Sequence, residues 1–455
     1  MSATSDVATR ALIELVEQDA RLKDVVGKTL AEAKQLGASS AEVAVSVSQG
    51  LSVTVRLGDV ETVEHTRDKS LGLTVYFGKR TGSASTTDFS IAAIQDTVRA
   101  ACAIARHTAE DPAAGLADPD RLARQIPDLR LYHPWHPGVE ALIDASRRCE
   151  DVGRAHDKRI VNSEGASFSS HEGIEVYGNS HGFLGSVPTT RHSLSASLIA
   201  EDGAGMQRDY WWTVARHNGD LEPADKVGRE AAQRTVRRLG ARKLSTRRCP
   251  VLYEAPIAAS LLSHFVSAVR GGALYRQASF LLDQLGKPVF APFVRLHEQP
   301  HLSGALGSAA FDNEGVATVA RDLVRDGVLQ GYVLDSYSAR KLNMQTTGNA
   351  GGVHNLTFEP GSTDLKGLLR QMGTGLLVTE LIGFGVNTVT GDYSRGAAGY
   401  WVEGGEPRYP VEEITIAGNL KDMFRAIVAV GNDVDVRGSL RTGSILIESM
   451  TVAGE

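Results

Sequence analysis

The chain has 455 residues, enough at roughly 150 per domain for two or three domains, and its 42% hydrophobic, 22% charged and 6% aromatic composition excludes a mainly disordered state. Lys and Arg number 48 against 54 Asp and Glu, and the resulting net charge of −6 argues against a protein built to grip nucleic acid or an anionic membrane. Its three cysteines (Cys102, Cys149 and Cys249) are too few and too scattered for a disulfide framework or a cysteine-rich zinc site, and they fit a reducing compartment.

In chain order, Leu12, Leu15, Val16, Leu22, Val25, Val26, Leu30 and Ala33 recur at helical spacing, with Gly37 as a stop. This opening lacks the basic and apolar regions of a signal peptide, and no apolar run approaches the ~18–20 residues that span a bilayer, so a soluble cytoplasmic protein is expected. Period-two alternation then predicts short strands over 41–48, 53–57, 60–66, 71–77 and 82–86, turning at Gly58-Asp59 and Gly78-Lys79. This reads as an antiparallel meander. A helix over 91–105 precedes residues 108–137, which hold five prolines without clean periodicity and read as a long surface connection. A second helix is expected near 138–156, strands over 160–169, 173–177, 183–187, 193–201 and 206–215, and a polar helix over 223–239.

The basic segment Gly240–Arg248 marks a shift in composition, and the domain boundary is placed there, between residues 1–240 and 248–455. Beyond it come a strand over 251–253 and a helix over 256–269, then strand candidates over 357–359, 376–382, 399–403 and 411–417. A short helix over 420–430 and a closing strand over 445–452 complete the reading. The fold class is α+β: an N-terminal domain with a meander and packed helices, and a C-terminal, mainly antiparallel, barrel-like β domain.

Two motifs imitate catalytic signatures. His297-Glu298-Gln299-Pro300-His301 matches H-E-x-x-H, in which one helix face carries two zinc-binding histidines and a general base. Pro300 removes a backbone donor and biases Gln299 toward extended backbone, so the required helix is not expected and the segment reads as a strand ending in a polar turn. Gly178-Asn179-Ser180-His181-Gly182 matches the G-x-S-x-G nucleophile elbow, but no helix follows it, and a hairpin turn is the better reading. His133, His136, His171 and His354 show no spacing that specifies a metal. The least generic stretch is Thr379–Glu406, where Asn387, Asp392, Tyr393, Ser394, Arg395 and Trp401 lie among glycine turns. A substrate-binding surface is one reading of it and a β-hairpin with polar tips the other.

Nearly end to end, the chain resembles the TldD/PmbA family of gyrase modulators and peptidases, and within it the PmbA, or TldE, branch. The resemblance rests on Gly58–Phe89, the Gly178–Gly182 turn, Phe311-Asp312-Asn313-Glu314-Gly315, His354-Asn355-Leu356 ahead of Pro360-Gly361, and above all Thr390-Gly-Asp-Tyr-Ser-Arg-Gly396. It implies a cytosolic metalloprotease in which TldD and TldE chains form a heterodimer that cleaves unfolded or extended peptides. In the TldD branch a His-Glu-x-x-x-His helix and a cysteine near the C-terminus hold the metal. Here the corresponding helix carries Ser263 and Ala268 at the ligand positions and His264 at the glutamate position, and 442–455 contains no cysteine. The resemblance therefore implies a chain with no catalytic or metal-binding residue and no cofactor of its own. It would be silent alone and partnered by a TldD-like subunit that carries a divalent metal, expected to be zinc. Asn387, Asp392, Tyr393, Ser394 and Arg395 are the expected substrate-binding residues, Tyr393 packing against an extended peptide and Arg395 orienting a carbonyl or carboxylate. A homodimer in isolation, or a homodimeric polypeptide-binding scaffold without proteolysis, is the alternative; nucleic acid and membrane partners are not expected.

Overall fold

The computed structural model describes residues 2–203 and 205–454, with side chains from residue 14 onward. Helix α1 (Ser2–Gln35) leads into three strands, β1 (Ser40–Arg56), β2 (Asp59–Phe77) and β3 (Arg80–Thr86), followed by α2 (Ile91–His107). Leu12, the first predicted apolar position, lies outside the residues with described side chains. After an irregular stretch come α3 (Val139–Ala155), β4 (Ile160–Asn179), β5 (Leu184–Asp202), β6 (Gly205–Ala215) and α4 (Ala224–Arg237). The strands form one antiparallel sheet in the order β3-β2-β1-β4-β5-β6.

The meander is present, but the short predicted strands fuse into long ones. β1, β2, β4 and β5 each run 17 to 20 residues. At ~3.3 Å per residue such strands reach about 60 Å and curl. The reason is visible in the core. Helices α1 and α2 cover Val43, Val45, Leu73 and Val176, whereas α3 and α4 cover Val53, Val55, Phe168 and Leu198. Between these two patches the alternation lapses, yet the backbone ladder continues through Gly50, paired with both His171 and Thr66. Ladder hydrogen bonds do not depend on side chains, so sequence periodicity under-reads such strands. Gly50 is required here, because a Cβ would lie 2.0 Å from the His171 imidazole.

Residues 108–137 are irregular as expected but do not merely cross the surface. Leu122, Leu129 and Leu131 are buried against Tyr177, Phe183, Phe311 and Val316. Arg340 pins this strap by donating to the carbonyls of Ala113 and Gly115 at 3.1 and 2.9 Å and to that of Leu116.

The second half opens with β7 (Arg247–Tyr253), α5 (Ala255–Val269) and α6 (Gly271–Tyr275). Then come β8 (Leu296–Glu298), β9 (Arg321–Arg325), β10 (Val328–Leu329), α7 (Ser336–Lys341), β11 (Leu356–Phe358) and α8 (Leu365–Met372). The chain ends with β12 (Gly375–Ile382), β13 (Asp392–Glu403), β14 (Glu406–Asn419), α9 (Leu420–Arg425), β15 (Ile427–Val430), β16 (Leu440–Arg441) and β17 (Ile445–Ala453). Five strands, β14-β13-β12-β7-β17, close into a barrel because β17 also pairs with β14. A small second sheet runs β10-β9-β8-β11-β16. One face of the barrel strands, including Val251, Val378, Ala397, Ile416 and Ile447, packs with α5; Leu252, Leu377, Val402 and Leu446 on the other face pack with α8. The predicted helix over 420–430 is half right. Its second half is strand β15, because Ile427–Val430 pairs with Ile445–Ile447, and that pairing overrides a helical apolar spacing.

The β1–β2 hairpin turns at Leu57-Gly58, and Leu57 is held at φ 54. Fully buried Glu150 of α3 accepts hydrogen bonds from both turn amides, Leu57 N at 2.8 Å and Gly58 N at 2.9 Å. Replacing Glu150 by Ala leaves those donors without an acceptor and a left-handed leucine without its clamp. The expected loss is about 1.5–3 kcal/mol, measured by urea unfolding of Glu150→Ala against wild type.

Candidate functional site

Helix α5 begins at the end of β7, with Pro256 in its first turn and the Ala255 amide donating to Ser444 Oγ at 3.1 Å. Just before it, Glu254 accepts from Arg234 Nη1 with both oxygens at 3.1 Å. That ion pair ties α4 to the entrance of α5. Leu261, Leu262, Phe265, Ala268 and Val269 point into the barrel core, and Ser263 and Ser267 point outward. Positions five residues apart on an α-helix are about 140° apart around its axis. Ser263 is accordingly exposed while Ala268 is sealed at 0% exposure.

These residues do not fit a metal. Neither Ser263 nor Ala268 offers an imidazole or thiolate, and their directions diverge. Burial pushes the Cys149 thiol up to about 12 and that of Cys249 up to about 11, so both stay protonated and poor ligands. Among the described residues no group of three or more His, Cys, Asp and Glu side chains is placed to hold a metal ion.

His264 is the informative residue on this helix. Its ring sits 5.9 Å from that of Tyr393 in an edge-on arrangement. Burial first, and the Arg395 charge second, hold its pKa below the usual imidazole value, so it is neutral. Its Nε2 and the Nε of Arg395 are both buried without a hydrogen-bond partner among the described residues. Tyr253 donates from its hydroxyl to that of Tyr393 at 3.4 Å. Strand alternation in β13 therefore sends Tyr393 and Arg395 toward α5, and leaves Asp392 and Ser394 exposed on the outside. The expected binding residues are thus split. Asn387 and Asp392 serve the loop between β12 and β13: Asn387 Oδ1 accepts from the Val389 amide at 2.9 Å, and Asp392 accepts from Thr390 Oγ1 at 2.6 Å and Asn419 Nδ2 at 3.1 Å. Tyr393 is 1% exposed and has no surface to offer a peptide, which corrects the expectation that it packs against one. Sequence gave no sign that His264, 131 residues upstream by number, would meet Arg395.

The two imitated motifs are structural. His297-Glu298 ends strand β8, as Pro300 implied. Glu298 is buried and its oxygens are taken by Arg321 Nε at 2.9 Å, Asn349 Nδ2 at 2.7 Å and the His354 amide at 2.8 Å. His297 Nδ1 meets Asp322 at 2.5 Å, and His301 Nε2 lies 3.0 Å from Thr318 Oγ1. Ser180 sits in the β4–β5 turn and accepts from the Ala41 amide at 3.0 Å.

Three family models match the chain in order: PmbA/TldA metallopeptidase domain 1 over residues 41–105, the central domain over 132–239 and the C-terminal domain over 246–454. The metalloprotease PmbA of Escherichia coli O157:H7 is 48% identical over 98% of this chain and 99% of its own length. The chain belongs to the PmbA/TldD metallopeptidase family. A TldD homologue of Haemophilus influenzae is only 22% identical, over 86% of this chain and 85% of that one. Among solved structures, a candidate modulator of DNA gyrase from Bacteroides thetaiotaomicron superposes with a TM-score of 0.90 at 30% identity, covering 95% of this chain and 99% of that one. TldE from Thermococcus kodakarensis shares the fold at a TM-score of 0.79 and 18% identity, covering 94% and 100%.

The Phe311–Gly315 segment that carried the resemblance to the PmbA/TldD family organises a turn. Asp312, buried, accepts from the amides of Glu314, Val316 and Ala350, each at 2.9 Å. Neighbouring Glu314 accepts from the Ser336 amide at 2.9 Å, and burial pushes its pKa up to about 7. Between pH 4.5 and 7 the folded protein then holds a proton that the unfolded chain has released, so stability falls as pH rises through this window. Glu314→Gln is expected to flatten that slope, read from urea midpoints at pH 4.5, 5.5, 6.5 and 7.5; an unchanged slope would count against a raised Glu314.

Proposed function

We propose that this chain is the non-catalytic subunit of a two-chain metallopeptidase that cleaves unfolded or extended peptides, the metal being held by a TldD-like partner. One observation carries the reading: the helix at the family's ligand positions presents Ser263, His264 and Ala268, one of them sealed in the core. Without a Lewis acid or an activated water, nothing on α5 attacks a peptide bond. An inert chain that keeps its family's fold makes sense when it completes another chain's site.

The β12–β13 hairpin is the part of this chain that would reach the partner and the peptide. At its tip Phe384 is 98% exposed, with Ile382 and Val389 more than half exposed. Apolar groups held in water on a folded loop favour a protein contact. Behind them Arg395 is half-buried, its Nε enclosed without a hydrogen-bond partner among the described residues, and a terminal nitrogen of its guanidinium would be the group that donates to a carbonyl or carboxylate of an extended chain. Backbone pairing to a peptide gives affinity without sequence specificity, which suits unfolded substrates. The metal, expected to be zinc, would belong to the partner, and the site to a cytoplasmic complex.

Co-expression with a TldD-like chain and assay on an unstructured polypeptide test the proposal. The pair is expected to co-purify and cleave, and this chain alone to show no turnover with or without added zinc. Arg395→Ala is expected to lower turnover of the pair at least several-fold while the subunits still co-purify. Turnover together with stoichiometric, tightly bound metal in the isolated chain would refute the proposal. Unchanged turnover of the Arg395→Ala pair would remove the hairpin from the peptide path.

A further inference from the structure

A cavity of about 630 Å³ opens at the seam between the two halves of the chain, a size that holds a small organic molecule. Helix α4 closes it from the N-terminal half, and α8 with strands β12, β13 and β14 from the C-terminal half. Leu365, Leu369, Leu377 and Tyr400 belong to one apolar cluster and give the cavity its apolar lining. It lies beside the β13–β14 turn, at the opposite end of β13 from the β12–β13 hairpin.

The charged groups around this lining are unevenly matched. Arg234 is neutralised by both oxygens of Glu254 at 3.1 Å, and Asp209 lies 3.6 Å from Arg234 and 3.7 Å from Arg238. Arg237, Lys366, Arg370 and Arg408 form no ion pair among the described residues, and of the lining acids only Glu230 and Glu406 are likewise unpaired. Four unpaired cations against two carboxylates leave the cavity positive, in a chain whose net charge is −6. Arg237 and Arg370 lie in the last turns of their helices, where the dipole favours a cation. The other two have no such reason. Lys366 sits in the first turn of α8, where the dipole disfavours it, and the capping carboxylate of Asp364 is engaged by the Gly367 amide at 2.8 Å. Lys366 and Arg370 also stand one helical turn apart, which costs stability between like charges. Arg408 is the extra residue of a bulge, since Trp401 pairs with Tyr409 and Val402 with Pro407. A bulge re-aims a side chain, and this one lines the cavity.

We propose that this cavity binds a small phosphorylated molecule with a flat apolar body, of the class of nucleoside and aryl monophosphates. A phosphate monoester carries a charge of about −1.5 to −2 at pH 7, which matches the surplus of cations. Its oxygens accept from the guanidinium and ammonium groups at the rim, and its ring lies against Tyr400, Leu369 and Leu377. Bound there, the molecule touches both halves of the chain and ties α4 to α8 and the barrel. The site is separate from His264 and from the β12–β13 hairpin, so it can fail while the proposed function stands.

Isothermal titration calorimetry on the isolated chain tests it, with adenosine 5′-monophosphate and phenyl phosphate as probes and adenosine and inorganic phosphate as controls. At least one of the two monoesters is expected to bind tenfold or more tightly than either control. Lys366→Glu with Arg408→Glu is expected to weaken that binding at least tenfold. Arg124→Glu, which removes an exposed cation elsewhere, is expected to leave it within twofold. Lys366 and Arg408 are exposed, and thermal unfolding without ligand checks that the double variant folds. The rise in Tm that the monoester gives wild type is expected to vanish in that variant, because only binding to the folded state produces it. Failure of both monoesters to bind at millimolar concentration, inorganic phosphate binding as tightly as they do, or binding indifferent to the double substitution would overturn the proposal. A hexaglutamate peptide that binds more tightly than either monoester would also overturn it, in favour of an acidic chain.

Discussion

Closure of the barrel is the constraint on which the candidate site depends. β17 pairs with β7 on one side and with β14 on the other, through Thr415–Ala453, Ile416–Val452 and Ala417–Thr451. Once that ladder forms, the parity of every strand is settled, since a slip of one residue would turn each inward side chain out. This parity places Tyr393 and Arg395 against α5 and leaves Ser394 and Asp392 outside. A bulge between the Ala397–Ile414 and Gly399–Val411 pairs absorbs one extra residue of β14, so that Glu412 and Glu413 stand against Ala398 alone. Gly399 is needed beside it, because a Cβ there would lie 1.8 Å from the Leu377 carbonyl oxygen.

The parts of the fold that were legible in the sequence are those where one face meets core and the other meets water. Helices α2, α3, α4 and α5 match their expected spans closely, because each buries a single stripe. The strands of the first sheet were found in pieces, since Gln49-Gly50 and Ser170-His171 lie where no helix covers the sheet. The segment from 271 to 372 was the least legible. Its strands β8, β9, β10 and β11 are two to five residues long, and their order comes from pairing with distant segments. No local period reports such pairings.

The site was legible as a list and not as a place. Glycine turns and polar residues drew attention to 379–406, and that region does carry the exposed hairpin. What the sequence could not show is that adjacent residues divide their work. Asn387 and Asp392 are occupied holding the loop, whereas Tyr393 and Arg395 turn inward to His264. The H-E-x-x-H pattern failed as chemistry for a related reason. A glutamate that is buried and already accepts from Arg321, Asn349 and the His354 amide is not open to a catalytic water, and its role is to join β8 to the 349–354 loop. A buried carboxylate satisfied on this scale fixes architecture: losing Arg321 would leave its charge without compensation, and losing Asn349 would remove one of its hydrogen bonds.

Helix α5 shows how far the chain stands from a metal site. Exchanging two side chains for histidines would not create one. Ala268 is packed on all sides, and an imidazole there would force its neighbours apart at a cost of about 1–3 kcal/mol while burying a nitrogen with no partner. Ser263, on the solvent side, would hold its own imidazole in a divergent direction. The helix has become a packing element whose core face is used up by the barrel, and its remaining polar interest is concentrated in His264. Its neutral imidazole and the Nε of Arg395 are both buried without a hydrogen-bond partner among the described residues, an enclosed polar pair and not a set of ligands open to a metal.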